Sequence, residues 1–222
     1  MSQYVIKFSK EGYICYTSHL DMLRLFKRAF KKSGIRLAYS QGFNPHPKLG
    51  FAQPLSLGYS SVSEYLEFET KESYDADKIR QAIEQQMPDG IHIFSCEPLE
   101  AGKKSMAARS YAAEYIIGIP LDTPPDRDLK DVCAEFLEQK EIIVPKRQKK
   151  TKQMKDVNIR DQIQSLNFVS VECNLLVTAK LDSGSASNLS PELLISALCR
   201  FLNIPVKREE IDVMRTKLYF QK

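Results

Sequence analysis

Apolar and polar positions alternate through YVIKFSK (4–10), the period of a half-buried strand, and YICYT (13–17) extends or pairs with it. At Ser18 the period changes. Leu20, Leu23, Phe26 and Phe30 recur at steps of three and four, the inward face of a helix over 18–32. Ser18 supplies the N-cap, Asp21 sits at the third helical position as in a capping box, and Gly34 ends the element. IRLAYS (35–40) predicts a second strand, VSEYLEFET (62–70) a third and GIHIFSCEPL (90–99) a fourth. ADKIRQAIEQQM (76–87) is a helix between the last two, closed by Pro88 and Gly90. This β-α-β-β-α-β order is the ferredoxin-like split unit.

The order then recurs. AEYIIGIPL (113–121), EIIVPK (141–146), FVSVECNLLVTAKL (168–181) and DVMRTKLYF (212–220) predict strands. RDLKDVCAEFLEQK (127–140) and SPELLISALCRFL (190–202) predict helices, the first with Leu129, Val132 and Phe136 inward, the second capped by Ser190 with Pro191 in its first turn. The architecture repeats although the residues do not. The expected fold is α+β, two tandem ferredoxin-like units with antiparallel sheets, over 1–99 and 111–222. The small, basic stretch EAGKKSMAARS (100–110) links them.

A hydrophobic fraction of 43% and a charged fraction of 27% suit a soluble globular protein, and 222 residues suit one large or two small domains. MSQYVIKFSK contains no apolar run, so no signal peptide is expected, and no stretch is long enough to insert into a bilayer. The five cysteines are scattered and form no CxxC pair, which reads as reduced, mostly buried thiols in the cytoplasm. There is no Gly-rich phosphate loop and no HExxH, GxSxG or CxxxCxxC motif, so no cofactor and no metal site is expected.

Charge changes the picture more. Residues 1–50 hold nine Lys/Arg against two Asp/Glu, 51–100 hold three against ten, and 146–160 hold seven against one. Two basic islands in a nearly neutral chain suggest a polyanionic partner, although such islands are also common as solvated faces. In the first island Arg24, Arg28 and Lys31 form a helical stripe with Lys27 beside them, suited to a phosphate backbone. The second is KRQKKTKQMK (146–155), with Lys146, Arg147, Lys149, Lys150 and Lys152; it reads as a hairpin between the second and third strands of the second unit. It fits RNA, a ribosomal surface or anionic lipid.

The loop SQGFNPHPKLG (40–50) concentrates the remaining chemistry. Pro45 and Pro47 stiffen it, while Gly42 and Gly50 permit close approach. Phe43 could stack on a base, Gln41 and Asn44 could meet polar edges, and Lys48 suits a phosphate. His46 could move a proton, and with His19 and Asp21 at the head of the preceding helix it could form an acid–base set for RNA cleavage or hold a metal. The structural alternatives are a rigid cover over the sheet, a helix cap and a hydrogen bond within the loop. His92, on an alternating strand, reads as structural.

Ser18-His19-Leu20-Asp21, Arg28-Ala29 and Tyr39-Ser40-Gln41-Gly42-Phe43-Asn44-Pro45-His46-Pro47-Lys48 closely resemble the radical-SAM-linked (radical-SAM-associated) protein family, a domain of unknown function. Phe51, Pro54-Leu55, Leu57-Gly58, Glu64-Tyr65 and Pro88-Asp89-Gly90-Ile91 continue the resemblance through the first unit. The second unit is similar more loosely: Lys155 to Arg160 resembles the family's basic-flanked acidic motif with Asn158 in place of Asp. The resemblance implies a setting beside radical SAM proteins and among ribosomal-protein and ribonuclease genes. The fold order is also similar to that of tandem ferredoxin-like RNA proteins such as CRISPR repeat endoribonucleases, a likeness of fold rather than of activity.

The expected protein is therefore a cytoplasmic RNA-binding accessory factor, with tRNA or rRNA and a radical SAM enzyme as partners. The alternatives are an RNA-cleaving or RNA-modifying enzyme using His19 and His46, and an adaptor that only docks the radical SAM enzyme.

Overall fold

In the computed structural model, which describes residues 2–100, 102, 104–148 and 151–221, Tyr4, Ile6 and Phe8 enter one core from β1 (Ser2–Lys10). From α1 (His19–Lys32), Met22, Phe26, Ala29 and Phe30 meet them, with Phe8 edge-on to Phe26 at 4.9 Å between ring centres. The short β2 (Leu49–Phe51) follows. Leu66 and Phe68 come from β3 (Ser60–Thr70), Ile79 and Ile83 from α2 (Ala76–Glu84), and Ile93 from β4 (Ile93–Leu99). Each such buried Ile, Leu, Met or Phe side chain contributes about 1.5–3 kcal/mol. β1 lies between β3 and β4, antiparallel to both, and β2 pairs antiparallel with β3. The spatial order is fourth, first, third, second: the ferredoxin-like arrangement.

After the one-turn α3 (Met106–Arg109), the second unit repeats that arrangement with β5 (Ser110–Pro120), α4 (Leu129–Glu138), a hairpin of β6 (Ile143–Arg147) and β7 (Met154–Asn158), β8 (Ile163–Val171), β9 (Asn174–Asp182), α5 (Pro191–Phe201) and β10 (Asp212–Phe220). Its strands run β10-β5-β9-β8, with β9 antiparallel to β5 and β8, while β6 and β7 pair with each other. Ile117, Val177, Phe136 and Leu198 are buried in its core. The chain divides into two units, 1–110 with 220–222, and 111–219. The fold is α+β with mostly antiparallel pairing. Among the described residues, no helix is long and apolar enough to cross a membrane.

Several expected elements differ. Tyr13 to Thr17 is not a strand: Gly12, at φ +58°, turns the chain into a 3-10 turn over Gly12–Tyr16, and the buried Lys10 amine donates to the Cys15 and Thr17 carbonyls to hold it. Leu20 is exposed rather than inward, since Met22 takes the core position in the first turn. The stretch 35–40 makes only isolated bridges. In the second unit, 141–146 is not the second sheet strand. That place belongs to β8, and the apolar run EIIV instead supplies the hairpin's buried Ile142 and Val144. The long run 168–181 breaks at Glu172, which adopts φ +54° and turns β8 into β9. The described residues of the basic run, 146–148 and 151–155, accordingly belong to a hairpin inserted before the second sheet strand. Ser190 caps α5 by position only, without a side-chain hydrogen bond.

Candidate nucleic-acid interface

The second strand of the first unit is in two pieces. Leu37 pairs with Thr70, and Leu49 pairs with Phe68. Between them both pieces use Glu69: the Ala38 amide donates to the Glu69 carbonyl at 2.8 Å, and the Glu69 amide donates to the Lys48 carbonyl at 2.9 Å. The Lys48 amide closes the gap by donating to the Ala38 carbonyl at 2.8 Å. Residues 39–47 are therefore an excursion that leaves the strand and re-enters it in register. This is why IRLAYS does not continue as a strand.

The excursion has a braced neck. Tyr39 and Pro47 bridge, the Ser40 amide donates to the His46 carbonyl at 2.8 Å, and the His46 amide donates to the Ser40 hydroxyl at 3.0 Å. Prolines at 45 and 47 fix φ on the returning arm, while Gly42 takes φ +129°, a conformation side chains disfavour. The five tip residues, Gln41 to Pro45, are all exposed, and Phe43 is fully so. Phe43 thus points to solvent and does not cover the sheet. The Lys48 amine is turned to the Glu69 carboxylate at 2.7 Å, which also accepts from Gln3 at 3.0 Å. The hydrogen bond from the Lys48 amine holds the Glu69 carboxyl below its ordinary range; burial, the second influence, opposes it, and the Gln3 amide assists Lys48.

Beside the neck lies a groove of about 640 Å³. Its cationic lining is Lys27, Arg28 and Lys31 from α1, Arg36 from the first strand piece and Lys71 from the end of β3; Tyr39 and Pro47 form its rim at the neck. Among the described residues, no carboxylate lines it. Arg36 meets Glu72 at 3.4 Å, whereas Lys27, Arg28, Lys31 and Lys71 make no ion pair among the described residues. Five cations facing one concavity repel one another, so an anion there gains from all of them. Arg36 and Lys71 were not singled out in the sequence. The Lys71 amide donates to the Arg36 carbonyl at 3.0 Å, and that strand register brings them together from 35 residues apart.

The remaining candidates fall elsewhere. Ser18 caps α1 by accepting from the Asp21 amide at 3.2 Å and donating to its carboxylate at 2.7 Å, and Arg24 donates to the same carboxylate at 2.8 Å. The Ser18 hydroxyl, then the Arg24 guanidinium, hold Asp21 below the usual carboxylate range. Asp21 and Arg24 are thus engaged with each other. His19 lies edge-on to Phe51 at 5.3 Å and lines a cavity of about 20 Å³ with the buried Lys10 and Glu64. Among the described residues no hydrogen bond or ring contact joins His19 or Asp21 to His46, and no three His, Cys, Asp or Glu side chains gather as a metal site. His92 hydrogen-bonds Glu84 through Nδ1 at 2.7 Å, a structural contact.

In the second unit Lys146 and Arg147 lie on β6, with Lys146 directly opposite Lys155. Lys152, at φ +57°, donates its amide to the Gln148 carbonyl at 3.0 Å. Lys149 and Lys150 lie outside the described residues. The hairpin is rooted by Asn158, whose Oδ1 accepts from the Ile142 and Arg160 amides at 3.0 Å each, by Arg160 on the Leu137 carbonyl, and by Arg200 on the Ile143 carbonyl.

Fold and groove together define a two-unit ferredoxin-like protein with a cationic cleft in its first unit. The family described as "Uncharacterized protein conserved in bacteria (DUF2344)" matches residues 3–191, and the chain belongs to it. No curated protein matches the chain. Among solved structures it is similar to a chain of a Cbf5-Nop10-Gar1 complex, with 12% identity and a TM-score of 0.51 over 97% of this chain and 48% of that one. It thus spans about half of that chain's length, and the likeness shows the fold alone. A structure described as an unknown protein from Galdieria sulphuraria is similar over 100% of this chain and 99% of that one, with 12% identity and a TM-score of 0.30.

Proposed function

We propose that the protein binds RNA through the groove of its first unit and serves as an accessory factor beside a radical SAM enzyme, in the modification or processing of tRNA or rRNA. The observation that carries the RNA half is the groove: five cations, four without an ion pair among the described residues, converge on one cleft with no carboxylate. The basic hairpin adds a second positive surface. The partner half rests on the resemblance of the SHLD and SQGFNPHPK segments to the radical-SAM-linked family. Catalysis by His19 and His46 draws no support from the contacts around either histidine.

A protein-adaptor reading has one observation in its favour. Tyr13 and Tyr16 are exposed on one 3-10 turn, Leu57 is exposed nearby, and a Cβ built on its neighbour Gly58 would meet the Tyr16 ring at 3.7 Å. The deciding experiment is a salt titration of binding to structured and single-stranded RNA. Three to five groove contacts on a single strand give a log–log slope of about −2 to −3.5. Absence of RNA binding at low salt, together with salt-insensitive capture of the purified radical SAM enzyme, would establish the adaptor instead. RNA cleavage lost in His19→Ala and His46→Ala would establish the enzyme.

A further inference from the structure

We infer that the tip of the 39–47 excursion is a reader of unpaired bases, so that the groove's RNA ligand carries a bulged, looped or single-stranded nucleotide near the bound phosphates. This rests on the RNA-binding reading of the groove and names the class of RNA it takes.

The first premise is position. Tyr39 and Pro47 form the neck of the excursion and also the rim of the groove, so the loop rises from the wall of the cationic cleft. Phe43 is the middle residue of the five-residue tip beyond the braced Ser40–His46 pair. It lies four positions along the chain from Tyr39, an upper reach of about 14 Å. That is about four stacked nucleotides at about 3.4 Å each. A strand held by its phosphates in the groove therefore has bases within reach of the ring.

The second premise is chemistry. A fully exposed phenylalanine offers a flat apolar face, and its tip neighbours Gln41 and Asn44 offer amide donors and acceptors suited to base edges. Among the described residues Phe43 has no ring partner of its own, so both faces are open. In a duplex the base faces are hidden by stacking, and the A-form major groove is too deep and narrow for side chains to read. Only an unpaired base presents the surface this ring can take. The cations beside it favour nucleic acid over a neutral apolar partner.

The third premise is stiffness. The bridge, the two Ser40–His46 hydrogen bonds and the two prolines fix the neck before any ligand arrives. Little order is then left to impose on binding, which is how a single ring can contribute usefully to affinity.

The chain has no tryptophan, so Phe43→Trp places a single emitting indole at the tip. The full-length variant is titrated with a perfectly paired, blunt-ended RNA duplex of two strands and with the same duplex bearing a one-nucleotide bulge. Anisotropy of labelled RNA reports binding, and indole emission reports stacking. The expected result is quenching of the indole by the bulged RNA and not by the paired one. The wild type should prefer the bulged RNA about 10- to 100-fold, a preference lost in Phe43→Ala while the salt slope persists. Salt-dependent binding with equal affinity for both RNAs and unchanged indole emission would overturn the inference and leave the groove reading standing. Emission that shifts on phosphatidylserine vesicles but not on RNA would overturn it in favour of a lipid. Failure of the wild type to bind either RNA at low salt would remove both readings together.

Discussion

Both units fold in the same β-α-β-β-α-β order, yet each is elaborated at a different point, and the two insertions are built differently. In the first unit the insertion splits the second strand itself. Ala38 and Lys48 share Glu69 as partner, so the excursion is braced by the sheet and its neck forms the rim of a cationic groove. In the second unit the insertion precedes the second strand. Among the described residues the β6–β7 hairpin pairs only with itself, and Lys146, Arg147 and Lys152 stand exposed on it. Concentrated charge on an exposed hairpin attracts any polyanion. Charge in a concavity beside a fixed loop also imposes geometry. On the RNA-binding proposal, the two basic islands, nine Lys/Arg against two Asp/Glu over 1–50 and seven against one over 146–160, would serve different tasks: the second attraction, the first selection.

Charge reversal tests that division most severely. Arg28→Glu with Arg36→Glu should lower affinity for a bulged RNA by about 10²-fold or more, since each charge-assisted contact contributes about 1.5–3 kcal/mol. Lys146→Glu with Lys152→Glu should cost about tenfold and should weaken paired and bulged RNA alike. Filter binding at one fixed salt concentration measures both, with circular dichroism to establish that the variants fold. Equal losses for the two pairs, or loss of selectivity from the hairpin pair, would break the comparison.

A smaller effect should appear in stability. Like charges directly opposite on paired strands are destabilising, and Lys146 faces Lys155 across the hairpin. Lys146→Glu converts that repulsion to attraction and should stabilise the protein by about 0.2–1 kcal/mol in urea unfolding while RNA affinity falls. A gain on one measurement with a loss on the other marks a surface whose charge serves binding. If stability falls instead, that cross-strand repulsion is absent in solution.

The cores were legible because periodicity reports them: Phe26 and Phe30 on the helix, Leu66 and Phe68 on the third strand, and Phe136 on the fourth helix are all buried. What misled was local pattern without partners. IRLAYS looks like a continuous strand, but only register with Thr70 and Phe68 shows where it leaves and re-enters the sheet. EIIV has the apolar run of a sheet strand and is buried, yet it sits in a hairpin. The turn at Glu172 has no glycine to announce it. At the site, the helical stripe and the exposed loop could be read directly. Arg36 and Lys71 could not, because their meeting is made by strand register. Lys48 suits a phosphate by residue type, but the carboxylate across the strand engages it instead.

The least effect, and the one that probes the brace itself, concerns acid. The Lys48 amine holds the Glu69 carboxyl below its ordinary value. A carboxylate depressed in the folded state stabilises above its unfolded pKa, and that contribution is lost as pH falls through the lower folded value. The Lys48–Glu69 pair is partly exposed, so it contributes only about 0.2–1 kcal/mol at neutral pH. Its position matters more than its size, because Glu69 is the residue that both strand pieces share. The hairpin of the second unit is rooted differently, by the Asn158 amide and by the Arg160 and Arg200 guanidinium groups on carbonyls. None of those bonds involves Lys48 or Glu69. Hydrogen exchange over 36–50 should therefore be faster in Glu69→Gln than in the wild type at pH 7. The difference should shrink as pH falls and vanish near the acid end, while exchange over 142–160 stays alike in the two proteins throughout. A difference over 36–50 that persists undiminished in acid would show that the ion pair is not what braces the excursion, and would leave its backbone bonds and prolines as the whole of the clamp.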